Sequence, residues 1–315
     1  MRKRTLSLLL LLILTAFPCL TPAQAGDCKA DFSLSTGYRV DDLSWNIAGN
    51  PYGGNPNVLS ELTWSDLETI QAAVNGRVLV NQWLYVRGSF AYGWTFSGEN
   101  QDSDFSGNDR TQEYSRSSNS AEDSRVLDAA FGIGYRFSFL SDRLKFSPLL
   151  GYSYSAQKLA QKDGVQVIAT TGKTPPAGPI QGLDSTYDAS WLGPWLGIDI
   201  SFEITKEITL TGTFEYHWAT FDAEGDLNLR NDLARPRSYE HDADGEGYLI
   251  SLSAEYLLTG PWLLTLSLSY QQWSTDPGLD RLYYASGVVQ ETRLNEVEWD
   301  SCSLMLGLVY RFSSQ

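Results

Sequence analysis

Histidine is almost missing from this chain: His217 and His241 are the two in 315 residues. Any imidazole base must therefore be one of them. Cysteine is nearly as scarce, with three residues and no Cys-x-x-Cys. Long apolar runs are also lacking. The longest, Leu6 to Phe17, is about twelve residues, well short of the roughly twenty a spanning helix needs. Basic charge is low as well, with 23 Lys and Arg against 38 Asp and Glu. An acidic chain without a basic aromatic patch argues against nucleic acid as a partner. Neither a phosphate loop nor a Ser-His-Asp order is present.

What is there begins with Arg2, Lys3 and Arg4, the apolar run, and Ala23-Gln24-Ala25. This fits a secretory signal peptide over 1–25, cleaved after Ala25. The mature chain, 26–315, then has 20 basic and 38 acidic residues, a net charge of −18. Neither Cys19 nor Cys28 sits in a lipoprotein cleavage box, so no lipid anchor is expected.

The remainder repeats one pattern about ten times. From Lys206, the positions Ile208, Leu210, Phe214, Tyr216 and Trp218 are apolar or aromatic, and Thr209, Thr211, Thr213, Glu215 and His217 are polar. A period of two puts these sets on opposite faces of a strand. Leu84 to Phe96, Phe131 to Phe139 and Trp262 to Tyr270 alternate likewise. A soluble sandwich alternates too, and the export signal and the last strand decide between them. That strand carries Leu304, Leu306, Leu308, Tyr310 and Phe312 on one face, and resembles the aromatic-terminated strand by which bacterial outer-membrane barrels are recognised for assembly. By parity Cys302 shares that lipid face and acts as a small apolar residue. Cys28, at the opposite end of the barrel wall, is about 30 Å away at strand rise, too far for a disulfide.

Short breaks near 80–82, 141–142, 205–207 and 259–261 and long polar stretches at about 41–56, 98–122, 163–184, 223–238 and 275–292 require ten strands. The fold class expected is all-β: a ten-stranded antiparallel transmembrane β-barrel in the outer membrane, with short periplasmic turns and long extracellular loops. Ten strands enclose a narrow lumen, and its inward positions carry mixed charges, among them Arg87, Asp128, Asp199, Glu215 and Glu255, which neutralise one another rather than line a channel.

Leu59-Ser60-Glu61-Leu62-Thr63-Trp64, then Gly93-Trp94-Thr95, then Asp102-Ser103-Asp104-Phe105 resemble in order and spacing the omptin outer-membrane aspartic proteases. The resemblance implies an extracellular acid pair, Asp102 and Asp104, opposite an Asp and a His two residues apart after the seventh strand. Aligning Gly212-Thr213-Phe214-Glu215-Tyr216 with that strand puts Asp226 on the family's Asp and Asn228 on its His. An amide has no proton-transfer capacity near neutral pH, and a lost general base costs on the order of 10²- to 10⁴-fold in rate. His241 could replace it by approaching Asp226 across the hairpin, whereas His217 is read as a hydrogen-bonded interior residue. The family's lipopolysaccharide motif, Tyr-x-Glu-x-Arg after a Gly, is reduced here to Tyr152, Tyr154 and Ala156 after Gly151.

The function expected is thus an omptin-like barrel without peptidase activity, acting through its outer loops in adhesion or envelope structure. One alternative is an aspartic endopeptidase cleaving basic peptides with Asp102, Asp104, Asp226 and His241; another is a narrow passive pore. No cofactor and no metal are expected, since the loop acids Asp109, Glu113, Glu122 and Asp123 read as solvated. The expected partners are outer-membrane lipid, lipopolysaccharide and an extracellular protein or peptide.

Overall fold

The computed structural model describes residues 28–313. The signal-peptide segment lies outside them. The elements are β1 (Cys28–Ile47), β2 (Ser60–Val80), β3 (Leu84–Phe105), β4 (Glu113–Ser120), β5 (Arg125–Tyr135), β6 (Phe137–Phe139), β7 (Leu144–Ala169), β8 (Gly178–Pro179), β9 (Asp184–Glu203), β10 (Ile208–Asp226), β11 (Tyr239–Thr259), β12 (Trp262–Thr275), β13 (Gly278–Tyr283) and β14 (Val289–Ser313). Segments β4, β5 and β6 form one interrupted ribbon between β3 and β7, and β13 prolongs β12. With β8 a short add-on to β7, ten antiparallel ribbons remain, and β1 pairs with β14 from Lys29↔Ser313 to Ile47↔Leu294 to close the ring. Closure removes the free edges that an open sheet would expose.

The four short turns share one end with both termini. At the first, Asn81 and Gln82 adopt positive φ, the two-residue turn that suits the strand twist. The expected loops are shorter than their polar composition implied. Residues 41–47, 98–105, 113–120, 163–169, 223–226 and 278–283 are strand. Most ribbons therefore run about twenty residues or more, where a membrane crossing takes roughly 9–11.

The extra length explains why these segments looked like loops. In the half nearer the termini, outward residues are apolar and inward ones mostly polar, apart from a small cluster of Tyr85, Leu149 and Trp195; farther out the assignment reverses. On β14 the outward positions run Glu296, Glu298, Asp300 and then Cys302, Leu304, Leu306, Leu308, while Val297 and Trp299 point inward above Ser301 and Ser303. On β9 Asp188 and Ser190 give way to exposed Leu196, Ile200 and Phe202, with Tyr187, Ala189 and Trp191 buried inside. Where lipid gives way to water outside the wall, the interior becomes the place to bury apolar surface.

The outer interior is accordingly a packed core of Leu43, Trp45, Leu62, Trp64, Tyr187, Trp191, Phe221, Tyr239, Trp273 and Trp299, all 5% exposed or less. Trp273 stacks on Trp299 with ring centroids 5.7 Å apart. Beneath it lies a cavity of about 310 Å³ walled by hydroxyls and ion pairs. Arg39 bridges Asp41 at 2.8 Å and Asp128 at 2.5 Å, Arg87 bridges Glu215 at 2.7 Å, and Arg77 and Arg311 share Asp31 and Glu255. His217 is a buried member of this network, with Nδ1 2.9 Å from Ser153 Oγ and Nε2 3.0 Å from Glu215 Oε2. Cys302 is a free, exposed thiol.

Candidate functional site at the outer rim

Asp102 and Asp104 lie at the outer end of β3, beyond the membrane-spanning part. Simple parity would place them with Trp94 and Phe96, on the lipid face. Two compensating irregularities in the β2–β3 ladder, between Ser65 and Thr69, leave the register unchanged but reverse the alternation on both strands, so that buried Asn100 faces inward and Asp102 and Asp104 follow it. Asn100 Oδ1 fixes that orientation, accepting from Asn119 Nδ2 at 2.7 Å and Gln161 Nε2 at 2.8 Å.

Burial raises both carboxyls above their ordinary value. For Asp102 the charge of Asp104 adds to the rise, and for Asp104 hydrogen bonds from Ser60 and Ser115, its two cross-strand neighbours, oppose it. The cation whose field reaches both is the Arg230 guanidinium. Arg230 stands in the turn after β10 and is gripped by Asp232 at 2.8 and 2.7 Å, which with its hydrogen bonds holds the Asp232 carboxyl at about 2. Half-buried Tyr114 feels both charges. Its hydroxyl is pushed up to about 12 by burial and by the Asp104 and Asp102 charges.

The other named residues are elsewhere. Asp226 ends β10 on the face opposite buried Phe221 and Ala223, and takes a bidentate contact from Arg235 at 2.8 and 2.9 Å. Asn228 is a turn residue: its Oδ1 accepts from the Asp184 amide at 3.0 Å and Ser185 Oγ at 3.1 Å, and its Nδ2 donates to the Gly182 carbonyl at 2.7 Å. His241 pairs with Ala223 across the ladder, so it points inward while Asp226 points outward. It is 1% exposed, with Nδ1 2.9 Å from the Tyr187 hydroxyl and Nε2 3.2 Å from Asp280 Oδ1. Asp280 Oδ2 in turn accepts from Thr292 Oγ1 at 2.8 Å. Trp45 closes on the imidazole edge-on at 4.8 Å.

The fold thus brings Asp102 and Asp104 together but parts Asp226 from His241. Arg230, Tyr114 and Ser115 were not singled out from the sequence. They lie in polar segments where alternation gives no register, and only Ser60 belonged to a motif. Three of the other loop acids have side-chain partners: Asp109 accepts from Asn57 Nδ2 at 2.9 Å, Glu113 holds Arg116 at 2.6 Å and Asp123 holds Lys162 at 2.9 Å. Among the described residues no group of three or more His, Cys, Asp or Glu is placed to hold a metal ion.

In the segment compared above with the omptin lipopolysaccharide motif, Tyr152, Tyr154 and Ala156 face outward, and the next outward residue, Lys158, stands directly opposite Arg125 and 3.7 Å from Asp188.

The model of the Protochlamydia outer membrane protein family, Pom, matches residues 33–312. No curated protein sequence matches the chain. Among solved structures, the outer membrane protease OmpT of Escherichia coli superposes with a TM-score of 0.71 at 16% identity, covering 91% of this chain and 97% of that one. The translocator domain of the autotransporter NalP from Neisseria meningitidis gives a TM-score of 0.36 at 10% identity, covering 99% and 98%. OprG from Pseudomonas aeruginosa gives 0.35 at 12%, covering 92% and 99%. At 16% identity the likeness to OmpT speaks for the barrel alone. The chain belongs to the Protochlamydia outer membrane protein family and is an outer-membrane β-barrel with the omptin fold.

Proposed function

We propose that this barrel has no peptidase activity and serves the cell surface as an adhesion or envelope-structural protein, through the wall and loops that rise above the membrane. The observation that carries the reading is the opposite facing of Asp226 and His241. Water activation needs a base within hydrogen-bond reach of the attacking water and oriented by a third group. The acid pair has in its place Arg230, a permanent cation that accepts no proton. Asp226 is committed to Arg235, and His241 is sealed in the aromatic core.

The aromatic core also supports a closed barrel over a pore, because Trp191, Trp273 and Trp299 fill the lumen where a channel would open outward. The rim loops also present Tyr52 and Val288 to solvent, 92% and 58% exposed. The Arg125 and Lys158 pair suits contact with anionic lipid headgroups, lipopolysaccharide included.

The test is cleavage of a fluorogenic dibasic peptide by the refolded barrel in lipopolysaccharide, wild type beside Asp104→Asn. Absence of turnover in both is the expected result. Turnover in wild type that disappears in Asp104→Asn would replace the reading with a working endopeptidase.

A further inference from the structure

A second concavity, about 380 Å³, opens on the outside of the wall across β7, β9, β10, β11 and β12, far from the acid pair. Tyr152, Leu192, Pro194 and Trp218 line one end and Asp244, Glu246 and Asp276 the other. It therefore straddles the level at which the outward face turns from apolar to acidic.

Its origin is a defect in the ladder. β9 and β10 pair from Thr209↔Glu203 to His217↔Trp195 and again from Thr220↔Leu192, but not across Trp218–Ala219 and Gly193–Pro194. Proline has no amide to donate and is disfavoured in a strand flanked on both sides. β9 has β7 on its other edge throughout this stretch, so the interruption sits in the middle of a closed wall.

The charges of the groove differ from those elsewhere in the barrel. The luminal carboxylates Asp41, Asp128, Asp199, Glu215 and Glu255 are each met by an arginine. Among the described residues no Lys or Arg pairs with Asp244, Glu246 or Asp276, all of which are exposed, and Glu246 accepts from the Tyr216 hydroxyl. Beside them the Trp218 indole is 45% exposed, offering the aromatic face over which an ammonium is held.

We propose that this groove is a binding site for an outer-leaflet lipid whose headgroup carries a primary ammonium. The acyl chains would lie along the apolar outward face of β9, over Pro194 and Leu196, and the ammonium would reach Asp244 and Asp276 beside Trp218. Charge complementarity selects this occupant: a purely anionic headgroup would meet unpaired carboxylates at the same level.

Native mass spectrometry of the refolded mature barrel, offered chain-matched phosphatidylethanolamine and phosphatidylglycerol in equal amounts, tests the assignment. The expected result is retention of one phosphatidylethanolamine with a preference of about tenfold. That preference should fall to parity in Asp244→Asn/Asp276→Asn and persist in Glu298→Gln, an exposed acid of the same level outside the groove. Heat-modified gel mobility checks that each variant is folded. Equal retention of the two lipids by wild type, or a preference unchanged in the double variant, would overturn the proposal. So would free ethanolamine competing as well as the lipid, which would mark an amine site without a lipid role. Peptidase activity enters none of these outcomes.

Discussion

His241 Nδ1 and the Tyr187 hydroxyl lie 2.9 Å apart inside a core from which water is excluded, with Asp280 on the other side of the ring. The imidazole thereby ties β9, β11 and β13 together where the wall has no lipid around it. Replacing it by alanine leaves a tyrosine hydroxyl and a carboxylate without their partner and opens a cavity. His241→Ala is expected to cost about 3–5 kcal/mol in urea unfolding from lipid vesicles, and His241→Gln, which keeps a polar partner, to cost less. Peptide cleavage should change in neither.

The acid pair makes the outer wall sensitive to pH. Asp102 and Asp104 are both raised in the folded protein, chiefly by burial, so the native state holds their protons more tightly than the unfolded chain does. Their contribution is fully present below the ordinary Asp value of about 3.9 and is lost as pH rises through the elevated folded values. The urea midpoint followed by tryptophan fluorescence should therefore drop as pH rises from about 4 through those elevated values. Asp102→Asn should flatten the profile and raise the neutral midpoint. Arg230→Gln should steepen it, because the Arg230 charge opposes the rise at both carboxyls.

Asn228 occupies the position at which the omptin resemblance implies histidine, but its amide holds the 182–185 segment through two accepted hydrogen bonds and one donated. Imidazole cannot reproduce that pattern. Asn228→His should produce no turnover of the dibasic peptide, loosen the loop by about 1–2 kcal/mol, and hasten limited proteolysis near Gly182.

In the lumen, Arg39 neutralises Asp41 and Asp128 at once, and Trp299 Nε1 also donates to Asp41 at 2.9 Å. Arg39→Met would strand two carboxylates in a confined space and is expected to cost about 3–5 kcal/mol in the same unfolding assay. Adding Asp41→Asn and Asp128→Asn should recover most of that loss. A planar bilayer should stay silent with each of these proteins, since no residue of the aromatic core above is replaced.

The ten-ribbon plan was legible because alternation with period two survives in every membrane-spanning half, and the four short turns fall where the breaks near 80–82, 141–142, 205–207 and 259–261 put them. The upper halves were not. Residues 41–47 and 223–226 are as polar outside as a loop, and their inward partners Leu43, Trp45 and Ala223 show a burial pattern of the opposite sense. Asp102 and Asp104 could be named from their motif, but their inward facing depends on the paired ladder irregularities near Ser65 to Thr69, which no spacing on β3 reveals.

The chain's residues alone determine a wall: a strand's two faces need only the order of side chains along it, and a lipid-facing apolar band must be continuous to be stable. Which side chains meet across the lumen was decided by tertiary structure. That outcome depends on ladder registers between ribbons distant in sequence, and a single-residue shift turns a side chain from one face to the other. Asp226 and His241 are near neighbours along the hairpin and yet face apart, because the β10–β11 register sets Ala223 opposite His241, while Tyr187 and Asp280, remote from His241 in sequence, are the groups that surround it.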